Sequence, residues 1–180
     1  MPIREFKDEY RFLSNFWPYQ GKELLGPPAP ILWKDVTYAT AEHLYQCAKA
    51  NNPFDRQRII TAETPGLAKR IGGDVELRPD WEQIKHEVML KTVRAKFQQH
   101  QDLAGKLLAT GNEELVEGNW HGDGHWGYDL KTSHGENWLG RILMIVRAEL
   151  RFRRELQGIV NDMRMGRLHV ESCFVTEDAA

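Results

Sequence analysis

The chain has 180 residues, of which 41% are hydrophobic and 28% charged, with a formal net charge of -2. That mix excludes wholesale disorder, and the length fits one domain that buries its own core without a metal or disulfide staple. The mild negative balance excludes a global basic field for nucleic acid, so any such contact has to come from a local patch.

Two cysteines, Cys47 and Cys173, lie far apart and form neither a disulfide framework nor zinc-ligand spacing. The start of the chain carries charges at Arg4 and Glu5 instead of an apolar signal core, and no apolar run approaches the ~20 residues that span a bilayer. The expectation is a reduced, soluble, cytoplasmic protein without a membrane partner. Six tryptophans are many for this length; they serve a core or stack on bases and sugars.

In chain order, Gly26-Pro27-Pro28-Ala29-Pro30 reads as a loop, and 31–38 as a single short β-branched strand. Thr40 has the character of an N-cap for a helix through Lys49, with apolar side chains at Ala41, Leu44, Tyr45 and Ala48. A second helix is expected over 53–62. Thr64-Pro65 starts a third, which should stop at Gly72-Gly73. Asp80 followed by Gln83 suggests a capping box for a long helix with a stripe of Trp81, Ile84, Val88, Met89, Val93 and Phe97. A further helix covers 101–110, and 115–117 reads as a short strand. Residues 118–137 hold five Gly, two Trp and three His and should be a loop; long irregular stretches of this kind are often functional. The last helix is expected from about 137 to 156, with Leu139, Ile142, Leu143, Val146 and Leu150 on one face. The expectation is therefore an α+β domain, predominantly helical, with a few short strands over 1–157. A tail follows at 158–180.

The chain has no Walker-type phosphate loop, dinucleotide fingerprint or Gly-x-Ser-x-Gly elbow. Glu42 and His43 stand in the first turn of a helix, where a carboxylate is favoured by the dipole whatever its function. Lys49 is two turns on and shares the face of Glu42, either as an exposed ion-pair face or as a base and an amine converging on a pocket. Lys69 and Arg70 either complement a helix C-terminus or clamp a phosphate. Trp81 is a core anchor or a stacking platform. His121 and His125 are four apart, but Gly122 and Gly124 between them argue for loop histidines over a metal pair. In 119–128, glycines admit a ligand close to the backbone, aromatics stack, and Asp123 can act as acid, base or hydroxyl acceptor.

Several segments resemble the NADAR family in order and spacing over about residues 12–150. They are Phe12-Leu13-Ser14-Asn15-Phe16-Trp17-Pro18, Tyr38-Ala39-Thr40-Ala41-Glu42-His43-Leu44-Tyr45-Gln46-Cys47-Ala48-Lys49 and Thr64-Pro65-Gly66-Leu67-Ala68-Lys69-Arg70-Ile71-Gly72. Then follow Arg78-Pro79-Asp80-Trp81-Glu82-Gln83-Ile84-Lys85, the run from Val88-Met89 to Lys96-Phe97, Leu107-Leu108-Ala109-Thr110-Gly111, Leu115-Val116-Glu117, Asp123 with Trp126-Gly127, and residues 135–147. The resemblance implies an N-glycosidase cleaving the bond between a base-like nitrogen and a phosphorylated ribose. Its substrates would be phosphoribosylamino-pyrimidine intermediates of riboflavin synthesis, or ADP-ribose linked to guanine in DNA or RNA. A module that binds ADP-ribose or a nucleotide without cleaving it is the alternative. No cofactor or metal is implied. Glu42, Lys49 and Asp123 are implied as catalytic, with Lys49 the lysine favoured for a Schiff base with the opened sugar. Asn15, Phe16, His43, Lys69, Arg70, Trp81, Trp126 and Gly127 are implied as substrate-binding. Two departures bear on the substrate. Gly73 stands where the family often has an Arg, and Trp126-Gly127-Tyr128-Asp129 loses a glycine.

Overall fold

The computed structural model describes residues 1–167. Six α-helices and three two-stranded ladders form the predominantly helical α+β domain that the sequence suggests. Among the described residues, no helix is long and apolar enough to cross a membrane.

A 3-10 helix at Asp8–Leu13 leads into the hairpin β1 (Tyr19–Gln20) and β2 (Glu23–Leu24). The run 31–38 is not one strand but the antiparallel hairpin β3 (Ile31–Trp33) and β4 (Val36–Tyr38). Lys34 and Asp35 between them adopt φ of 47° and 65°. Two left-handed residues fold a strand back with the native twist, and nothing like Asn-Gly announces it here. Gln99 grips the hairpin by bonding both the amide and the carbonyl of Leu32, at 2.9 and 3.0 Å.

Helix α1 (Ala41–Lys49) is capped by Thr40 as expected, and every residue from Ala41 to Cys47 is buried. It is surrounded by α2 (Pro53–Ile60), α3 (Pro65–Gly73) and α4 (Trp81–Gln99). Asn52 caps α2 by accepting from Asp55 N at 2.9 Å, and Thr64 caps α3 by accepting from Leu67 N at 3.2 Å. Helix α3 ends at the expected glycine pair, with both glycines inside its last turn and Asp74 as the C-cap. Gly72 is also an approach point, because a Cβ there would overlap the side chain of Gln46 on α1. The capping box at Asp80 does not form. Arg78 holds its carboxylate at 2.5 and 2.9 Å, and the side chain makes no bond to the helix amides.

Helix α4 carries the expected stripe, and also buries Lys96 to 2% exposure. The Lys96 amine donates to the carbonyls of Phe12 and Ser14 at 2.6 and 2.8 Å. A buried amine needs such partners, and here they tie residues 12–14 to the middle of the fold. Helix α5 (Gln101–Ala109) ends before Gly111, whose φ is 60°. Leu115 forms a parallel bridge with Ile3, while the regular ladder pairs β5 (Gly118–Asn119) with β6 (Tyr128–Asp129), also in parallel. The rest of 118–137 has no regular structure, as expected.

Helix α6 (Trp138–Arg164) is longer than its sequence pattern suggested. The expected boundary at 157 falls inside it, and the end of the tail, 168–180, with Cys173, lies outside the described residues. Asn137 does not cap α6. With φ of 52° it turns its side chain outward, accepting from Glu117 N at 3.0 Å and donating to Leu115 O at 2.9 Å. The start of α6 is thereby stitched to residues 115–117.

Candidate active site

A cavity of about 310 Å³ opens between residues 15–16, α1, α3, α4 and the segment 117–126. Similar or larger hollows lie elsewhere, of about 350 Å³ beside the start of α6 and about 610 Å³ between α5 and α6. Neither sets lysine amines beside a buried carboxylate, so the chemistry points to the first.

Glu42 stands on its wall, 5% exposed. Its position follows from local chemistry. Thr40 starts the helix, and the carbonyl of Asn15 accepts from Glu42 N at 3.1 Å, taking up one of the free amides of the first turn. One turn on, Gln46 donates to the Glu42 carboxylate at 2.7 Å. Burial, the dominant influence, pushes the carboxyl above the usual range. The Gln46 bond and the lysines Lys69 and Lys49 pull the other way. Burial likewise lowers Lys49, with Lys69 adding to the effect and Glu42 opposing it. The expected meeting of a carboxylate and an amine on one helix face is therefore realised inside a cavity and not on an open surface.

Lys69 comes from α3, its amine 5.9 Å from the centroid of the Phe16 ring. Asn15 and Phe16 also line the cavity, and Asn15 Oδ1 is buried without a hydrogen-bond partner among the described residues. Trp81 is both core and wall. It is 6% exposed, its ring lies 5.3 Å from that of Tyr45, and Tyr45 in turn meets Trp126 at 5.4 Å. Asp123 closes the far side. Its carboxylate accepts from His125 N and Trp126 N at 3.2 and 3.0 Å, and Asn119 bonds both its amide and its carbonyl. That Asx turn is the local reason the loop holds its shape.

Three expected binding residues are not on the wall. His43 is fully buried behind it, with one ring nitrogen 2.8 Å from Thr40 Oγ1 and the other 3.0 Å from Ala62 O. Both nitrogens are engaged, so it cannot reach a ligand. Arg70 follows Lys69 by about 100° around α3 and is exposed outside the cavity. Gly127 is buried beneath the loop, where a Cβ would overlap the carbonyl of Glu117 and the side chain of Asn119. It shapes the site without touching what the site holds.

Sequence reasoning missed Tyr45, Gln46, Glu82, Lys85, Met89, Glu117, His125 and Leu139 on the wall. Gln46 was legible in principle, because a Glu and a Gln four apart face each other on a helix. Glu117 stands in one of the segments that resemble the family but was given no role there. It reaches the cavity only through the Ile3 bridge and the Asn137 stitch. Beside the cavity, His86, His125, Trp126 and Trp138 gather with ring separations from 4.4 to 6.4 Å, and Glu136 Oε2 binds both His125 Nδ1 and Trp138 Nε1. Among the described residues, no group of three or more His, Cys, Asp or Glu is arranged to hold a metal ion.

The arrangement can hold a small polar ligand between aromatic faces, with amines for anionic groups and carboxylates for proton transfer. Comparison with known proteins gives the family. The family model described as NADAR domain matches residues 3–151. The N-glycosidase YbiA of Escherichia coli is 37% identical over 145 residues, covering 79% of this chain and 83% of its own. An N-glycosidase of Nostoc punctiforme is 39% identical over 155 residues, covering 83% and 92%. A riboflavin biosynthesis protein of Vibrio vulnificus is 38% identical over 145 residues, but this chain spans only 36% of its length. The NMR structure of E. coli YbiA superposes with a TM-score of 0.72 over 86% of both chains, at 34% identity.

Proposed function

Because the chain belongs to the NADAR family, we propose that it cleaves the bond between a base-like nitrogen and C1′ of a phosphorylated ribose, within the cavity that holds Glu42. Relatives named N-glycosidase, 37% and 39% identical over most of the chain, make it a hydrolase of N-glycosyl bonds. The single observation that carries the finer reading is a buried carboxylate, Glu42, flanked by the amines of Lys49 and Lys69.

In this reading Lys49 is the nucleophile. Burial shifts it toward the neutral amine, the form with a lone pair to donate. The amine attacks C1′, the C1′–N bond breaks with its electron pair leaving on nitrogen, and Glu42 accepts the proton shed by the lysine. Water then hydrolyses the lysine–sugar adduct, and Lys49 takes its proton back from Glu42. Asn15 and Asp123 hold sugar hydroxyls, Lys69 meets the phosphate, and Trp81 and Trp126 face the rings. The substrate class favoured is a phosphoribosylamino-pyrimidine of riboflavin synthesis. A cavity of about 310 Å³ suits one sugar phosphate and one ring, and a relative carries a riboflavin biosynthesis name.

The test is chromatography of products after incubation with a phosphoribosylamino-uracil and, in parallel, an oligonucleotide bearing ADP-ribosyl guanine. Ribose 5-phosphate from the first supports the reading. Free ADP-ribose from the second alone transfers the same chemistry to modified nucleic acid. Tight binding with no product from either replaces the enzyme by a binding module.

A further inference from the structure

We infer that Glu117 is the general acid of this cleavage, delivering the proton that the departing nitrogen takes up; the inference rests on the N-glycosidase reading above. A nitrogen leaving with an electron pair is a poor leaving group unless protonated as the bond breaks, so the site needs an acid as well as a base. Four carboxyls line the cavity, Glu42, Glu82, Glu117 and Asp123; Glu82 is exposed and already paired with Lys85 at 2.6 Å, which leaves the other three to compete for that place. Asp123 already accepts two backbone amides, and Glu42 accepts the Gln46 amide. Hydrogen bonds donated to a carboxylate favour its ionised form. The Glu117 side chain accepts none among the described residues, although its backbone is anchored at both ends by Asn137 and Tyr128. It is thus held in position while its carboxyl remains free to keep a proton.

The charges around it act in the same direction on balance. Burial, then Asp123, then Glu42 push the Glu117 carboxyl up to about 8, against Lys69 and Arg11. Lys49 and Tyr45 from α1, with Glu82, Lys85 and His125, complete the titratable lining. At neutral pH Glu117 is accordingly the acid form.

The step balances. As Lys49 attacks C1′ and the C1′–N electron pair moves to nitrogen, the Glu117 proton passes to that nitrogen and leaves a carboxylate. When water attacks the lysine–sugar adduct, the Glu117 carboxylate takes the water proton and is restored. The pairing of an acid that turns base with a second carboxyl follows the logic of retaining glycosidases, with lysine in place of the carboxylate nucleophile.

The experiment compares the full-length protein with Glu117→Gln and Glu117→Asp on the phosphoribosylamino-uracil, or on the ADP-ribosyl-guanine oligonucleotide if only that is cleaved, from pH 5 to 9.5. The wild type should lose kcat as pH rises through about 8. Glu117→Gln should fall by roughly 100-fold or more at pH 7 with little change in KM, and should lose that descending limb. Glu117→Asp should regain part of the rate together with a limb. It carries the test alone if circular dichroism shows that the Gln variant does not fold. Wild-type kcat in Glu117→Gln, or an unchanged limb, overturns the role of Glu117 and leaves the N-glycosidase reading intact. A wild type that releases no product from either substrate overturns both.

Discussion

Gln46 donates its amide to the Glu42 carboxylate across one turn of α1, at 2.7 Å, and Gly72 of α3 leaves the room in which Gln46 lies. Neither neighbour is chemical by itself, yet together they aim the carboxylate into the cavity. Gly72→Ala should therefore disturb catalysis from behind the wall. Gln46 is 4% exposed and has nowhere to retreat, so a loss of about 1–3 kcal/mol is expected on thermal unfolding. kcat should fall more than KM rises. An unchanged kcat in a folded Gly72→Ala protein would remove Gln46 from the orientation of Glu42.

Glu42→Gln keeps the shape of the side chain and its helix but removes the proton acceptor. Turnover should drop by about 100- to 10,000-fold with near-native circular dichroism. A folded variant that retains turnover would sink the role given to Glu42.

If Lys49 attacks C1′, the adduct passes through an imine that borohydride reduces. Mass spectrometry after reduction with substrate should show one sugar phosphate on the wild type and on Lys69→Met, and none on Lys49→Met. Labelling that survives in Lys49→Met but vanishes in Lys69→Met would transfer the nucleophile to α3.

Lys96 links stability to pH. Burial, chiefly, with Arg11 adding, pushes its amine down to about 7. Between that point and the ordinary lysine range the unfolded chain binds a proton that the folded chain does not. Stability from this group therefore rises as pH goes from about 7 toward 10 and is lost on the way down. Lys96→Met should flatten the melting temperature against pH across that window. It should also lower it overall, because the carbonyls of Phe12 and Ser14 lose their donor. Parallel slopes for variant and wild type would mean that Lys96 is charged in the fold.

The last turns of α6 stand away from the cavity, and among the described residues none beyond Leu139 lines it. Deleting 158–180 should leave kcat and KM unchanged in the product assay. A loss of activity with an intact melting transition would bring the tail into the mechanism.

Much of the fold could be read along the chain where the signal is local. Thr40, Thr64 and Pro65 mark helix starts because capping depends on neighbours three residues away. The α4 and α6 stripes show because burial on one face imposes a 3.6-residue period. Failures came where another contact displaced the expected one or where the usual signal was missing. Arg78 took the Asp80 carboxylate from its cap, and Lys34-Asp35 turned without the residues that usually announce a turn.

The site divides in the same way. Glu42 and Lys49 could be paired from the sequence by themselves, since two helical turns place them on one face. Whether that face met water or a cavity was decided only when α3, α4 and the 117–126 segment closed around it. The same closure turned His43 into a buried structural residue, left Arg70 outside, and brought in Glu117, whose segment belongs to the resemblance but had been given no role in the site. A residue's type and spacing are set by the chain, but its desolvation and its partners, which govern where its proton sits, exist only once distant segments pack together.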